Sequence, residues 1–378
     1  MRIALSWSPV LLGVIFLLLL GYGRREQALG AKNDFVTFYA GAKLAGTPQL
    51  YSRAANVELI KKLVGEDMGM MYIRPPFYAA ILKPLAWLPF LAAYALFTCL
   101  SLVSYLWFAV RFTKECPALP FLSAISIPFL ADVTAGQDAA FMLAILGAAI
   151  LLARKKEDFS AGLVLSLCAF KFHLFLFVPL LLLMKRRWRM IGGGVVGGIA
   201  LAVLGTVVNG PAAWIAWVKV LRDPWINPDA GGMPNLHGLV AALGVNPSWE
   251  AILIGGVCLL FLWMTMHFDN FELLFAASLV CGLLVSFHST IVDDLVLFPV
   301  LILVLGSSKL VPLRAAAGLI LTPIPYFLVL AGPPYSAGFP VSLLLMVGGM
   351  ACSVSLVPKD KVKKRKAEQL ILPHRSGG

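Results

Sequence analysis

The sequence has few charged residues, and the acidic ones are the scarcest. Only 13% of its 378 residues are Asp, Glu, Lys or Arg, whereas 60% are hydrophobic and the mean hydropathy is +0.87. Soluble domains are about half apolar and about one quarter charged. The shortage of charge therefore excludes a soluble domain and predicts an integral membrane protein.

Other features that the sequence lacks narrow the possible classes of protein further. Five of the six cysteines lie inside apolar runs, so the chain has neither a disulfide framework nor a metal-ligand spacing. The formal net charge is +12, but the basic residues cluster beside apolar runs and no basic face alternates with stacking aromatics. Nucleic acid is therefore excluded as a partner. The first apolar run ends at Arg24 and Arg25 without a small-residue cleavage site, so we expect it to remain as a helix.

The apolar runs predict an all-α polytopic membrane protein with about twelve transmembrane helices, some of them short or broken. The runs lie at 3–22, 90–111, 118–133, 138–153, 159–170 with 173–184, 190–208, 250–267, 271–287, 291–306, 312–331 and 340–357. We expect a single domain over residues 1–357, followed by a basic cytoplasmic tail at 358–378. The first outer loop, 23–76, has amphipathic spacing typical of interfacial helices, and a second outer loop covers 209–249.

One apolar segment is bounded by basic residues at both ends. Residues 154–156 are basic, as are four of the five residues 185–189, and both groups should be cytoplasmic. The segment between them must then enter the membrane and return. Lys171 and His173 lie at its middle, where an unpaired charge is costly and usually marks a functional site.

With this topology, the ionisable residues that are hardest to explain converge on the outer face. They are Asp34, Asp132, Asp138, Lys171, His173, His237, His288, Asp293 and Asp294. A transferase acting on a lipid-borne substrate needs a carboxylate to accept the proton of an acceptor hydroxyl. It also needs cations to hold a phosphate leaving group. Both kinds of residue are present.

Each candidate also has a structural explanation. Asp34 precedes a helical pattern, and on spacing alone a helix cap is the favoured interpretation. Asp132 and Asp138 fit a hydrated turn, Lys171 could extend its ammonium to the interface, and His288 fits a core histidine. A secondary transporter or a lipid-linked-sugar flippase would show similar broken helices without bond-forming chemistry. A transporter is expected to contain inverted repeats, and the sequence has none that we recognise.

Several strings in sequence order resemble glycosyltransferase family 87. They are KNDF at 32–35, YIRPPF at 72–77, AGQD at 135–138, KFHL at 171–174, SFH at 286–288 and DLVL at 294–297. The resemblance covers residues 32 to about 300. It implies a GT-C-like membrane bundle that transfers a hexose, with mannose as the first candidate, from a polyprenyl-phosphate donor to a lipid or glycan acceptor. The implied place is the outer face of a bacterial inner membrane.

The resemblance also implies roles for individual residues. Asp34 would be the general base of an inverting transfer, which reverses the capping interpretation. Lys171 and His173 would lie at the donor phosphate, His288 near the phosphate or sugar, and Gln137 in the pocket, while Tyr72 and Arg74 would shape the donor groove. No metal or other cofactor is expected. The sequence departs from the family pattern at Phe172 and Phe287, where proline is frequent, and at Asp138, where asparagine is frequent.

Overall fold

The computed structural model describes residues 8–223 and 230–355. Within these ranges the chain forms α-helices and short 3₁₀ helices, without a β-strand. The predicted all-α fold is therefore confirmed. The predicted basic tail, 358–378, lies outside the described residues, and so does Trp225 of the second predicted outer loop. The boundaries of the single domain stay a prediction.

Twenty α-helices are described. Helices α1 to α6 are Ser8–Gly21, Arg25–Leu29, Phe35–Leu44, Arg53–Val64, Pro76–Leu82 and Phe90–Phe112. Helices α7 to α13 are Leu119–Ala124, Ile127–Ala135, Ala139–Arg154, Asp158–Leu165, Phe177–Met184, Trp188–Asn209 and Ala212–Leu221. Helices α14 to α20 are Leu236–Leu243, Ser248–His267, Phe271–Val285, Leu297–Ser307, Val311–Leu319, Pro323–Leu330 and Gly338–Ser355. The 3₁₀ helices in the described ranges are Tyr22–Arg24, Lys83–Trp87, Ser166–Phe175, Ala230–Gly232, Ile291–Val296 and Tyr335–Ala337.

The described residues contain six helical stretches long and apolar enough to cross a membrane, or seven if α18 and α19, bent by 55°, form one broken span. A multi-pass membrane protein is thus confirmed in general, while the number twelve stays a prediction. Some predicted spans are divided into shorter helices. The run 118–133 is one example, because the Ser126 hydroxyl accepts a hydrogen bond from the Phe129 amide at 3.2 Å and starts α8 anew.

The first predicted outer loop contains the two helices expected from its amphipathic spacing, α3 and α4. Helix α4 is amphipathic and largely exposed, as an interfacial helix should be. In contrast, α3 is buried from Phe35 to Ala42 on all its faces. It is therefore an internal helix, and it holds the start of the loop deep in the bundle.

The predicted break at Lys171 is present. Its backbone leaves the helical region (φ −121°, ψ 42°) between α10 and α11. At the other end of this segment, the Arg187 guanidinium donates to Asp158 at 2.8 Å, so the two ends of the hairpin meet. Gly162 and Gly193 allow α10 and α12 to touch, since a Cβ atom at either would lie 1.9 Å from a carbonyl oxygen. Lys171 is consequently held at the tip of a closed hairpin.

Helix α9 extends from the Lys171 tip of the hairpin to the ion pairs of Arg154. It starts next to Asp138 and ends at Arg154, whose guanidinium bonds to Glu272 and Glu115 at 2.7 Å each. Sixteen residues of α-helix span about 24 Å. The Lys171 tip and the Arg154 network therefore lie at opposite ends of α9.

Candidate active site

A cavity of about 680 Å³ lies between α1, α3, α8, α19 and the tip of the hairpin. Seven of the twelve residues selected from the sequence line it: Asp34, Arg74, Gln137, Lys171, His173, His288 and Asp293. Their side chains form a polar end. The rest of the wall, called the apolar end below, is largely apolar and includes Leu20, Ile127, Leu130, Phe327 and Leu330. Such an amphipathic cavity suits a ligand with a polar head and an apolar tail.

Asp34 lies directly before α3, but its side chain caps no helix. Its carboxylate Oδ2 instead accepts a hydrogen bond from Nε2 of Gln137. The neighbouring Asn33 makes the local contact, because its Oδ1 accepts from the Phe35 amide at 3.2 Å. The capping interpretation of Asp34 is therefore wrong, and the carboxylate faces the cavity.

A tight turn at Gly136 brings Asp34 and Gln137 together. Gly136 has φ of +63°, and a Cβ atom there would lie 2.5 Å from Oδ1 of Asn33. Asn33 in turn donates to the Thr134 carbonyl at 3.1 Å, and the Asp34 amide donates to Ala135 at 2.9 Å. The AGQD string is therefore the structural partner of the KNDF string.

Burial raises the pKa of the Asp34 carboxyl. The hydrogen bond from Gln137 and the positive charges of Arg74 and Lys171 act in the opposite direction, since they favour the carboxylate. A half-buried carboxylate with a raised pKa is a better proton acceptor than an exposed one.

A chain of alternating charges forms the floor of the polar end. Arg74 donates to Asp138 at 2.9 Å, and Lys171 contacts Asp138 at 3.2 Å and Asp293 at 2.6 Å. The side chains of Lys171, Asp138 and Asp293 are all buried. Lys171 is thus an ion-paired lysine on the cavity wall, and its predicted role at the donor phosphate stays a prediction. The interpretation of Lys171 as an interface-seeking lysine is also wrong, because its side chain is 3% exposed.

Two histidines lie edge to face beside these charged residues. The ring centroids of His173 and His288 are 6.2 Å apart. Nε2 of His173 and Nδ1 of His288 are buried without a hydrogen-bond partner in the part of the chain that the structure describes. Burial lowers the pKa of His288, which favours the neutral imidazole. Both rings therefore keep a nitrogen available to a ligand.

The remaining candidates lie outside the cavity. Asp138 is directly behind it, and Asp132 bonds to the Ser101 hydroxyl and the Ala139 amide, so it starts α9 as a buried cap. Asp294 is fully buried, and neither carboxyl oxygen has a partner among the described residues. Neither Asp132 nor Asp138 is therefore a residue of a hydrated turn.

Tyr72 and His237 also lie away from the ligand space. The Tyr72 hydroxyl donates to Pro75 at 3.0 Å, and its ring lies against Gly41, so it supports the Arg74 loop from behind. His237 pairs with Glu250 at 2.8 Å. Sequence reasoning missed Arg24, which lines the cavity next to the apolar end. Its only sequence signal was its position directly after the first apolar run.

The described residues contain no group of three or more His, Cys, Asp or Glu side chains arranged to hold a metal ion. Asp293 is engaged by Lys171, whereas Asp294 does not line the cavity. Independence from metal stays a prediction.

A multi-helix membrane fold with a cavity that has both polar and apolar lining residues defines an integral membrane protein with a candidate active site between its helices. The family model of glycosyltransferase family 87 matches residues 72–291, more than half of the chain. The chain belongs to this family and is a membrane glycosyltransferase. No curated protein and no solved structure gave a significant match. The matched region contains the Arg74, Gln137, Lys171 and His288 segments, but it begins after Asp34.

Proposed function

We propose that the protein transfers a hexose, with mannose as the first candidate, from a polyprenyl-phosphate donor to a lipid or glycan acceptor, with inversion at the anomeric carbon. Asp34 is the general base in this proposal. The observation that carries it is that Asp34 is the cavity-lining carboxylate without an ion pair among the described residues, whereas Asp293 is neutralised by Lys171. A base must be able to receive a proton, and a salt-bridged carboxylate is a poor acceptor.

The reaction follows from the two ends of the cavity. The polyprenyl chain lies along the apolar end and places the sugar beside Asp34. The acceptor oxygen forms its bond to the anomeric carbon while its proton passes to Asp34. The bond between that carbon and the phosphate oxygen breaks, and its electron pair remains on polyprenyl phosphate. Gln137 holds the Asp34 carboxylate by its hydrogen bond, and the unpartnered ring nitrogens of the two histidines offer contacts to the phosphate or the sugar.

The proposed location is the outer face of a bacterial inner membrane. Its support is the distribution of charge along α9. Lys155, Lys156 and Arg186 lie at the end that carries the Arg154 network, whereas the cavity lies at the other end. Lysine and arginine are enriched in cytoplasmic loops, so the end opposite the cavity is assigned to the cytoplasm.

The test compares Asp34→Asn with Asp67→Asn, an exposed loop aspartate outside the cavity. Purified variants are assayed for transfer from a polyprenyl-phosphate sugar and, separately, for donor binding. Because a general base contributes about 10²- to 10⁴-fold, Asp34→Asn should lower transfer at least about a hundredfold while donor binding remains. Asp67→Asn should match the wild type.

Transfer by Asp34→Asn within about threefold of wild type would remove Asp34 from the base role. The alternatives without bond formation make a different prediction. A flippase or transporter would move lipid-linked sugar across a vesicle membrane without producing a glycosylated acceptor, and Asp34→Asn would leave that movement intact.

A further inference from the structure

The polar end of the cavity is short of positive charge for a phosphate ligand. Arg74 and Lys171 are opposed by Asp34, Asp138 and Asp293, so these five groups carry one net negative charge when Asp34 is ready to accept a proton. A phosphate in the same space would be repelled. Its charge also increases when the sugar leaves, which makes the shortage greatest at the moment of reaction.

Arg24 is the cation that corrects this balance. It ends the 3₁₀ turn after α1. Among the described residues, the arginines and lysines that line the cavity are Arg24, Arg74 and Lys171. In contrast to Arg74 and Lys171, the Arg24 guanidinium has neither an ion pair nor a hydrogen bond to any described residue. Its charge is therefore available to a ligand.

The position of Arg24 also fits the shape of a lipid phosphate. Its neighbours Leu20 and Gly21 belong to the apolar side of the wall, together with Leu130 and Leu330. Helix α1 is fixed there by close packing, since a Cβ atom at Gly13 would lie 2.9 Å from the Ile125 side chain. Arg24 thus follows apolar wall residues directly in sequence and lines the same cavity as Asp34, as a cation between a lipid tail and its headgroup should.

We propose that Arg24 binds the phosphate of the lipid-linked donor, and of the polyprenyl phosphate that remains after transfer. This inference rests on the proposed function. The planar guanidinium presents two parallel donors to phosphate oxygens, a geometry that lysine cannot reproduce. Arg24 enters the site from the 3₁₀ turn after α1, outside the segment matched by the family model. The phosphate ligand thus comes from a different part of the chain than the charge network around Lys171.

The competing explanation is that Arg24 is an interfacial anchor that contacts membrane headgroups. Arg25 separates the two explanations. It is adjacent, exposed and equally basic, but it does not line this cavity, and its guanidinium lies 4.0 Å from the centroid of the Tyr22 ring. An anchoring role affects both arginines equally, whereas phosphate binding affects Arg24 alone.

The experiment measures initial rates against donor concentration for wild type, Arg24→Gln, Arg24→Lys and Arg25→Gln in the same detergent. A hydrogen bond to a charged group lost from the site corresponds to about a tenfold to a hundredfold weaker affinity. We expect that rise in donor KM for Arg24→Gln and a smaller rise for Arg24→Lys. Arg25→Gln should stay within about twofold of wild type. Equal KM values for Arg24→Gln and Arg25→Gln would overturn the inference.

A direct binding measurement tests the role of Arg24 independently of the proposed reaction. Direct binding of short-chain polyprenyl phosphate to the full-length protein should weaken in Arg24→Gln by the same factor as the KM rises. Inorganic phosphate should compete much more weakly than the lipid phosphate with wild type. Equally strong competition by inorganic phosphate would overturn the assignment to a lipid headgroup. If wild type binds polyprenyl phosphate but transfers no sugar from a polyprenyl-phosphate sugar, the proposed function fails and the binding comparison still decides the role of Arg24.

Discussion

Gln137→Leu removes the hydrogen bond that, among the described residues, holds the Asp34 carboxylate. Nε2 of Gln137 donates to Oδ2 of Asp34, and leucine keeps similar bulk without a donor. The bond favours the charged carboxylate, so its loss raises the pKa of Asp34 beyond the increase already caused by burial. Arg74 loses its contact with Gln137 but keeps Asp138 at 2.9 Å, so the charge network remains.

The size of the effect follows from the value of that bond. A hydrogen bond to a charged group contributes about 1.5–3 kcal/mol, and one pKa unit corresponds to about 1.4 kcal/mol. The pKa of Asp34 should therefore rise by about one to two units in the variant. With a higher pKa, less Asp34 is deprotonated at any acidic pH, so the acid limb of kcat/KM moves to higher pH by the same amount. Well above both pKa values the rates should approach each other.

The assay is the pH dependence of kcat/KM for transfer, measured with Gln49→Leu as the control. Gln49 is exposed and does not line the cavity, so its replacement should leave the profile unchanged. An acid limb in Gln137→Leu that stays within about 0.3 units of wild type would refute the reasoning. In that case, either Asp34 is not the titrating base or Gln137 does not stabilise its charge.

Two further predictions concern the charge network and the topology. Lys171→Ala leaves Asp138 and Asp293 buried without the lysine that pairs with them, so the variant should lose about 3–5 kcal/mol of stability as well as activity. Lys155 is exposed, and Lys155→Ala should lose neither. Thermal unfolding in detergent and transfer assays measure the two effects. If adding Asp293→Asn to Lys171→Ala recovers no stability, Lys171 does not stabilise the protein through its ion pair with Asp293. In a background without native cysteines, Lys32→Cys should react with an impermeant reagent from outside intact cells, and Arg186→Cys only after permeabilisation. The reverse pattern would place the cavity on the cytoplasmic face.

The sequence carried enough local information to predict the helical framework. Apolar runs and their basic flanks predicted the break at Lys171, because a charge in the middle of an apolar run is a local signal. The same runs did not predict where helices divide. In the run 118–133 the hydropathy is continuous, but the Ser126 cap and Pro128 start a new helix. In the sequence, these two local signals were outweighed by the apolar character of the whole run.

Sequence patterns did not predict the contacts between segments that are far apart in the chain. Gln137 lies 103 residues from Asp34, and Asp293 lies 122 residues from Lys171, so neither pair has a local periodicity. For Asp34, spacing alone favoured a cap, and only the turn at Gly136 shows why the side chain points elsewhere. Lys171 was correctly predicted to lie at depth, but its pairing with Asp138 and Asp293 has no signal in the sequence, and its role at the donor phosphate stays a prediction.

Helix α9 has a consequence for how the enzyme meets its lipid environment. Its first turn is tied to Asp132 by the Ala139 amide, and its last residue, Arg154, is tied to Glu115 and Glu272. A helix fixed at both ends keeps a constant separation, so a thicker or thinner bilayer is accommodated by tilting of the whole bundle or by deformation of the lipid. The depth of the cavity's polar residues is thus set by the protein and not by the thickness of the bilayer.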